Sequence, residues 1–212
     1  MSAERPPLDP EGFAALTGVS RETMARLEAY AALLLDWSSR INLVGRSTLP
    51  DLWRRHFFDS AQLLPLIPAG TYCLVDLGSG AGFPGLVLAI LGVSGVELIE
   101  ADRRKASFLR EAARITGTDV VLRVCRIESA APFAADVVTA RGCAPLDRLL
   151  PLAERFISAQ TTCLFLKGEQ AEQELTAAVK DWTMTVSRHP SRSDPGGTVL
   201  KLQQVVREPR RN

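Results

Sequence analysis

Apolar residues in the first part of the chain recur at helical spacing. Between residues 20 and 39 they repeat every three or four positions, and Ser20 stands where a side chain caps the first turn of a helix. The side predicted to be buried comprises Met24, Leu27, Ala31, Leu34, Leu35 and Ser38. A turn is predicted at Ile41–Gly45, followed by one or two shorter helices within Thr48–Leu64. Because no strand pattern occurs here, we predict that residues 1–68 form a helical cap.

A different pattern begins near Thr71, where short apolar runs alternate with helical stretches. Strands are predicted at Tyr72–Leu77, Val96–Glu100, Val120–Val124, Asp136–Thr139 and Cys163–Lys167. Helices are predicted between and after them, at Pro84–Leu91, Arg103–Ile115, Pro145–Ile157 and Glu169–Trp182. This alternation is typical of right-handed β-α-β units, and therefore of a parallel sheet covered by helices on both faces.

The end of the chain breaks this alternation. Thr183–Ser187 and Thr198–Val206 are strand-like and flank the turn-rich segment Pro190–Gly197, which predicts an antiparallel hairpin at the sheet edge. Residues 69–212 are thus predicted to form a doubly wound α/β fold with a mostly parallel seven-stranded sheet. We expect this part and the cap to fold as one structural unit.

Composition and charge narrow the class of protein. The 212 residues suit one domain, and 46% hydrophobic residues suffice for a substantial core. The formal net charge of +1 gives no overall polybasic signal, so nucleic-acid binding would need local patches.

Met1–Pro10 lacks the apolar stretch of a secretory signal, and the longest apolar run, Leu86–Leu91, is too short to cross a bilayer. The cysteines, Cys73, Cys125, Cys143 and Cys163, show no C-x-x-C spacing. We expect reduced thiols, no metal, no membrane association, a cytoplasmic location and a monomer.

The segment that carries most chemistry is the glycine-rich loop from Asp76 to Gly85, which reads Asp-Leu-Gly-Ser-Gly-Ala-Gly-Phe-Pro-Gly. It follows an apolar strand and opens a helix, the place where ligands bind in open α/β sheets. Glycines there allow the backbone to turn tightly and to approach a ligand closely. A turn without a ligand explains this density of glycines poorly.

Two cofactors compete for this loop. The dinucleotide fingerprint G-x-G-x-x-G is matched by Gly80, Gly82 and Gly85. However, the fingerprint should begin where the strand ends, at Gly78, and counted from there its third glycine falls on Phe83. The carboxylate of Asp76 also favours a zwitterionic ligand with a cationic sulfonium over a pyrophosphate, which it would repel. An acidic residue followed by G-x-G-x-G is the usual first motif of S-adenosylmethionine enzymes, so we predict this cofactor and the Rossmann-like methyltransferase fold.

Residues after the next two strands fit the same cofactor. Glu100 ends the second strand, 22 residues after Gly78, where a carboxylate can accept hydrogen bonds from both ribose hydroxyls. The alternative is an exposed acid at the start of a helix. Arg126-Ile127-Glu128 follows the third strand, in the loop that normally lies against the adenine.

Five segments together are more specific than the glycine loop. They are Ile41-Asn42-Leu43, Arg55-His56-Phe57-Phe58-Asp59-Ser60, Asp76 through Gly85, Thr139-Ala140-Arg141 and Leu166-Lys167-Gly168. On these segments, over roughly residues 30–170, the sequence resembles the glucose-inhibited division protein B family of bacterial small-subunit (16S) rRNA guanine-N7 methyltransferases. The resemblance implies methyl transfer from S-adenosylmethionine to N7 of a guanine in 16S rRNA. It also implies cofactor contacts at Gly78, Phe83, Ile127, Glu128 and Arg141, to which the loop and strand-end arguments add Gly80 and Glu100.

This chemistry requires little from side chains. Guanine N7 has a lone pair and no proton, so its methylation needs alignment and no general base. The Asn/Asp-Pro-Pro-aromatic tetrad of exocyclic amine methylation is missing from the sequence, and Cys143 lacks the preceding proline typical of a cytosine C5 nucleophile. Arg141 ends the fourth strand and is predicted to position the methionine carboxylate or a substrate phosphate. The alternative for Arg141 is a structural salt bridge with Asp136 or Glu128.

Residues outside the cofactor motifs are candidates for substrate contact. His56 and Asp59 lie three apart on one helical face and either contact substrate or form a buried pair that docks the cap. Lys167, at the end of the fifth strand, is either a phosphate contact or a solvated lysine. Arginines such as Arg55 and Arg192 either frame an RNA surface or are scattered solvated charges.

Three other functions remain open from the sequence. A methyltransferase acting on a small molecule, enclosed by the cap, predicts no salt-sensitive RNA binding. A nucleotide-binding oxidoreductase predicts a response to NADH and none to S-adenosylmethionine. A non-enzymatic cofactor-binding scaffold is disfavoured by the presence of Asp76, Glu100 and Arg141.

Overall fold

The computed structural model describes residues 6–209. The first five residues of the predicted cap and the last three residues of the predicted α/β segment lie outside the described residues. The cap begins with helices α1 (Pro10–Thr17) and α2 (Arg21–Ser38). Helix α2 confirms the predicted helix, and the Ser20 hydroxyl caps it by accepting a hydrogen bond from the Thr23 N–H at 3.1 Å. Leu35 was placed wrongly on the buried side, because it is 50% exposed.

Two features of the cap differ from the prediction. Helix α1 was not predicted from the sequence, although Asp9 caps its first turn by accepting from the Gly12 N–H at 2.7 Å. The predicted helices within residues 48–64 form as short pieces of different winding. These are a 3₁₀-helix at Arg46–Asp51, a π-helix at Trp53–Phe58, helix α3 at Asp59–Ala61 and a 3₁₀-helix at Leu64–Leu66. Pro50 lies inside the first piece, where its missing N–H prevents a regular α-helix.

The rest of the chain forms a seven-stranded sheet with helices on both faces, which confirms the predicted fold class. The strands are β1 (Leu74–Leu77), β2 (Val96–Ile99), β3 (Val121–Arg123), β4 (Val137–Arg141), β5 (Thr162–Lys167), β6 (Trp182–Pro190) and β7 (Thr198–Arg207). The helices are α4 (Gly85–Ile90), α5 (Arg103–Thr116), α6 (Leu146–Ala153) and α7 (Ala171–Ala178). The strand order is β3-β2-β1-β4-β5-β7-β6, in which β7 runs opposite to the other six strands.

This order places a topological switch point between β1 and β4, because the chain leaves β1 towards β2 and returns to pair β4 on its other side. Ligands of such sheets bind outside the carboxyl ends of the strands at that point. The predicted last helix was too long: α7 ends at Ala178, and Trp182 begins β6 instead. Trp182 is 3% exposed and pairs with Arg207 of β7. Its side chain is therefore buried by the sheet, although the sequence pattern placed it in a helix.

The hydrophobic core lies in two layers, one on each face of the sheet. The cap packs on the first face, where Leu34 and Phe57 share a cluster with Leu86 of α4 and Leu98 of β2. The second face carries α6 and α7. Burial of the cap side chains therefore fixes the cap against the end of β1. Within the described residues, no helix is both long enough and apolar enough to cross a membrane.

Candidate active site

The glycine loop links the end of β1 to the start of α4. Gly78, Gly80 and Gly82 all have positive φ, at 66°, 59° and 93°, which side chains rarely adopt. At Gly82 a Cβ would also stand 2.6 Å from the Tyr30 hydroxyl. That hydroxyl, from α2 of the cap, donates a hydrogen bond to the Ala81 carbonyl. The cap therefore supports the loop from behind and fixes its shape.

Asp76 holds the loop from inside the protein. Its side chain is fully buried and accepts hydrogen bonds from the Thr139 hydroxyl at 2.8 Å and the Gly85 N–H at 3.3 Å. Burial raises the pKa of Asp76 to about 6, and the hydrogen bond from Thr139 opposes this rise. Gly85 is required for the approach, because a Cβ there would stand 2.7 Å from the Asp76 Cβ. Asp76 thus fixes the start of α4 against the end of β1 through these hydrogen bonds.

Glu100 stands beside the loop, directly after β2. Its Oε2 accepts from the Gly80 N–H at 2.8 Å and its Oε1 accepts from the Asp102 N–H at 2.7 Å. A carboxylate offers about four lone-pair positions, so each oxygen retains one for a ribose hydroxyl. The loop and this acid therefore fit the donor and acceptor groups of S-adenosylmethionine.

The loop after β3 completes the same edge of the sheet. A 3₁₀-helix at Ile127–Ser129 buries Ile127, which is 9% exposed, and leaves Glu128 exposed. Arg155 fixes this loop by donating hydrogen bonds to the carbonyls of Glu128, at 2.6 Å, and Ala130, at 2.7 Å. The structure thus brings Gly78, Gly80, Glu100, Ile127 and Glu128 to the adjacent carboxyl ends of β1, β2 and β3.

Phe83 lies apart from this group. Its ring is 3% exposed and packs among aromatic side chains of the cap, with its centroid 5.5 Å from Tyr30 and 5.0 Å from His56. The guanidinium of Arg141 lies 4.9 Å from the centroid of the same ring. A cofactor contact at Phe83 would consequently involve its backbone.

Arg141, the last residue of β4, joins the sheet to the cap. Its Nη1 donates to the Asp59 carboxylate at 3.2 Å and to the Arg55 carbonyl at 3.0 Å, and its Nη2 donates to His56 Nδ1 at 2.9 Å. The salt-bridge partner is therefore Asp59, and not Asp136 or Glu128 as the sequence alternative supposed. His56 and Asp59 dock the cap on β4 through this arginine.

The contacts of His56 define its protonation. Because arginine only donates, Nδ1 must accept from Arg141, which leaves the proton on Nε2, 2.7 Å from the Thr48 hydroxyl oxygen. The Thr48 hydroxyl in turn donates to the Gly45 carbonyl at 2.6 Å. Burial lowers the pKa of His56 to about 3, assisted by the positive charges of Arg141 and Arg55. The imidazole is therefore neutral, with both nitrogens engaged.

A cavity of about 530 Å³ adjoins this network. It is lined by the cap, the segment after β4, the end of β5 and the β6–β7 loop. The lining residues include Thr48, Arg55, His56, Asp59, Arg141, Cys143, Lys167, Glu174, Ser193 and Asp194. Cys143 also touches the glycine loop, because its Sγ lies 3.0 Å from the position of a Cβ on Gly78. The cavity and the glycine loop are therefore immediate neighbours.

Lys167 is enclosed, so of its two alternatives the solvated lysine is wrong, while the phosphate contact remains a prediction. Its side chain is 8% exposed, and Nζ lies 2.8 Å from the Glu174 carboxylate and donates to the Ala144 carbonyl at 2.7 Å. Glu174 also accepts from the Leu146 N–H at 2.8 Å. Lys167 and Glu174 together hold the segment between β4 and α6 that forms one wall of the cavity.

Several residues that shape the cavity could not be recognised from the sequence. Gln62 accepts from the Arg192 N–H at 2.8 Å and donates to Asp59, and Ser193 donates to the same carboxylate. The sequence marked the loop that contains Ser193 only as a turn. Within the described residues, no group of three or more His, Cys, Asp or Glu side chains is arranged to hold a metal ion.

The chain has the fold of S-adenosylmethionine-dependent methyltransferases. A TehB-like SAM-dependent methyltransferase from Corynebacterium glutamicum has the same fold, with a TM-score of 0.56 at 14% identity, covering 85% of this chain and 98% of that chain. A mutant of MtNAS in complex with S-adenosylmethionine gives a TM-score of 0.57 at 16% identity, covering 92% of this chain and 84% of that one.

Sequence comparison is more specific. Residues 23–194 match the GidB family, described as rRNA small subunit methyltransferase G. Ribosomal RNA small subunit methyltransferase G of Paramagnetospirillum magneticum is 58% identical over 200 residues, which cover 94% of this chain and 98% of the relative. The chain belongs to the rRNA small subunit methyltransferase G family, and the family resemblance seen in the sequence is confirmed.

Proposed function

We propose that this chain transfers a methyl group from S-adenosylmethionine to N7 of a guanine in 16S rRNA of the small ribosomal subunit. The observation that carries the proposal is the contact between the cavity and the glycine loop at Cys143. A base in the cavity would lie next to a cofactor on the loop, as direct methyl transfer requires. Family membership supports the nature of the substrate.

The cofactor site comprises the residues at the ends of the first three strands. Gly78 and Gly80 would provide backbone surface for the cofactor, Glu100 would accept hydrogen bonds from its ribose hydroxyls, and Ile127 and Glu128 would hold its adenine. Phe83 would contribute through its backbone, and Arg141 through its positive charge. When bound, S-adenosylmethionine supplies an electrophilic methyl group on its sulfonium.

The residues around the cavity align the base and do not transfer protons. Neutral His56 cannot serve readily as a base, because its Nδ1 lone pair is bonded to Arg141. The N7 lone pair attacks without deprotonation, so alignment is sufficient. Positive charge then develops on the base, while the carboxylates of Asp59 and Glu174 remain paired with Arg141 and Lys167. His56, Asp59 and Lys167 line the cavity, and their bonds to Arg141 and Glu174 fix the walls against which the base lies, with Arg141 as the positioning residue.

We further infer that the chain acts as a cytoplasmic monomer, with residues 1–68 and 69–212 folding together. Its four cysteines are free thiols, as in reducing compartments. The exposed large apolar side chains, such as Leu16, Tyr72 and Val179, belong to separate parts of the fold. One core cluster contains side chains of both the cap and the sheet.

Two measurements test the proposed function. Nucleosides of 16S rRNA from cells with and without the gene are compared by mass spectrometry, and we expect N7-methylguanosine to disappear without the gene and to return with it. Calorimetry should show micromolar binding of S-adenosylmethionine. Unchanged rRNA together with methylation of a metabolite would favour the small-molecule alternative, and tighter binding of NADH would favour the oxidoreductase.

A further inference from the structure

The cavity wall contains three cationic side chains, which differ in their availability to a ligand. Arg141 is 20% exposed and its guanidinium is engaged by Asp59, His56 and a backbone carbonyl. Lys167 is 8% exposed and engaged by Glu174. Arg55 is 40% exposed and has a single ion-pair contact, from Nη1 to the Asp194 carboxylate at 2.9 Å. Among the residues that the structure describes, Arg55 is therefore the cation of this wall that is free to meet a substrate.

The position of Arg55 is fixed even though its guanidinium is accessible. Its backbone carbonyl accepts a hydrogen bond from Arg141 Nη1 at 3.0 Å, which holds the Arg55 backbone against the end of β4. Asp194 is 38% exposed and lies on the loop between β6 and β7. That loop is fixed to the cap by Gln62, which accepts from the Arg192 N–H. The Arg55–Asp194 pair thus links the cap to the loop on the accessible side of the cavity.

An ion pair of this exposure contributes little to stability, so exchanging one partner costs little. A guanidinium binds a phosphate through two parallel hydrogen bonds. This interaction is at least as strong as the partly solvated contact of Arg55 with the Asp194 carboxylate. The net charge of +1 provides no general attraction for RNA, so the affinity must come from individual cations such as this one.

We propose that Arg55 binds a backbone phosphate of the RNA beside the target guanine. Asp194 holds the guanidinium in place beforehand, and the phosphate displaces it. The inference rests on the proposed function and adds to it a specific phosphate contact and a carboxylate that competes with the phosphate.

The two partners of the pair should then have opposite effects on RNA binding. Arg55→Gln removes the phosphate contact, and we expect binding of deproteinised 16S rRNA to weaken by about five- to ten-fold. The slope of log affinity against log salt should decrease by about one. Asp194→Asn removes the competitor, and we expect binding to tighten by about two- to five-fold while the slope is retained.

A matched control is the ion pair of Arg207 with Glu154, which is exposed to the same degree, at 42% and 45%. Arg207 ends β7, whereas Thr198, which lines the cavity, begins it, so Arg207 lies at the far end of the strand from the cavity. Arg207→Gln should leave both affinity and slope unchanged. Calorimetry with S-adenosylmethionine checks that every variant is folded.

Equal weakening by Arg55→Gln and Asp194→Asn would overturn the inference, since it would show that the pair acts only as a structural link. An unchanged salt slope in Arg55→Gln would do the same. In either case the proposed function stands if the wild-type protein methylates 16S rRNA. A wild-type protein that methylates no rRNA refutes the proposed function itself.

Discussion

The Arg141→Lys substitution tests whether the network at the end of β4 places the substrate or merely holds the fold. Arg141 makes three hydrogen bonds, to Asp59, His56 and the Arg55 carbonyl, and its guanidinium stacks on Phe83. Lysine keeps the positive charge, but its ammonium is a point donor and cannot reproduce a planar fork with one nitrogen on Asp59 and the other on His56.

The expected loss of stability follows from these contacts. A hydrogen bond to a charged group contributes about 1.5–3 kcal/mol, and the stacked guanidinium adds about 0.5–1 kcal/mol. We therefore expect the free energy of unfolding to fall by about 3 kcal/mol, which corresponds to a fall in Tm of about 6–12 °C for a chain of this size. A displacement of the base by about 1 Å would additionally slow methyl transfer on the order of 100-fold.

The assay measures Tm and, well below it, single-turnover methylation of 16S rRNA at saturating cofactor. Arg26→Lys is the matched control, because Arg26 also bridges two elements, donating to the Thr116 carbonyl at 2.7 Å and the Thr118 hydroxyl at 2.9 Å, away from the cavity. We expect both variants to melt earlier and only Arg141→Lys to react slowly. If Arg141→Lys melts earlier yet methylates at the wild-type rate, its positioning role is wrong.

Three further outcomes are expected. The native pKa of His56, about 3, lies below its ordinary value of 6.5, so the unfolded state binds the extra proton and stability falls with pH below 6.5. Relative to His56→Gln, the wild type should lose about 2 kcal/mol more between pH 7 and pH 5 in denaturant titrations, and equal losses would contradict the neutral imidazole. Gly78→Val should abolish cofactor binding in calorimetry, because the position has a φ of 66° and a Cβ there would stand 3.0 Å from the Cys143 sulfur. The control Gly117→Val has a similar φ of 58° but no atom within 4 Å of its Cβ, and it should bind the cofactor normally. Cys143→Ala should retain most methyl transfer, since burial raises the pKa of this thiol and disfavours the thiolate; a loss of more than about 100-fold in kcat from a folded variant would indicate a nucleophile.

The order of strands and helices could be predicted because each element carries its own periodicity and caps. Helix α1 escaped prediction because it has eight residues and a single buried side chain, Phe13, so it shows no repeating pattern. The helix types within residues 46–66 could not be predicted, because packing on the sheet, which buries Phe57 completely, overrides local propensity.

The parts of the site that could be predicted follow strand ends. Gly78, Glu100 and Arg141 each stand at a carboxyl end, and the topology of parallel strands brings such positions together. The partners of these residues could not be predicted in the same way. Asp59 contacts Arg141, which is 82 residues away in the sequence, and Ser193, which is 134 residues away. Such contacts depend on how the cap and the last hairpin pack on the sheet.

This arrangement also explains why the site contains few unengaged reactive groups. A reaction that removes a proton needs a base with a vacant lone pair and a pKa near the working pH. Here the lone pair of His56 is bonded to Arg141, Asp76 is buried behind the glycine loop, and Lys167 is paired with Glu174. Such engagement would impede proton transfer, but it fixes the walls of the cavity. Attack by a lone pair such as guanine N7 requires a rigid alignment and little else, so side chains that bond to one another suit this chemistry better than free ones.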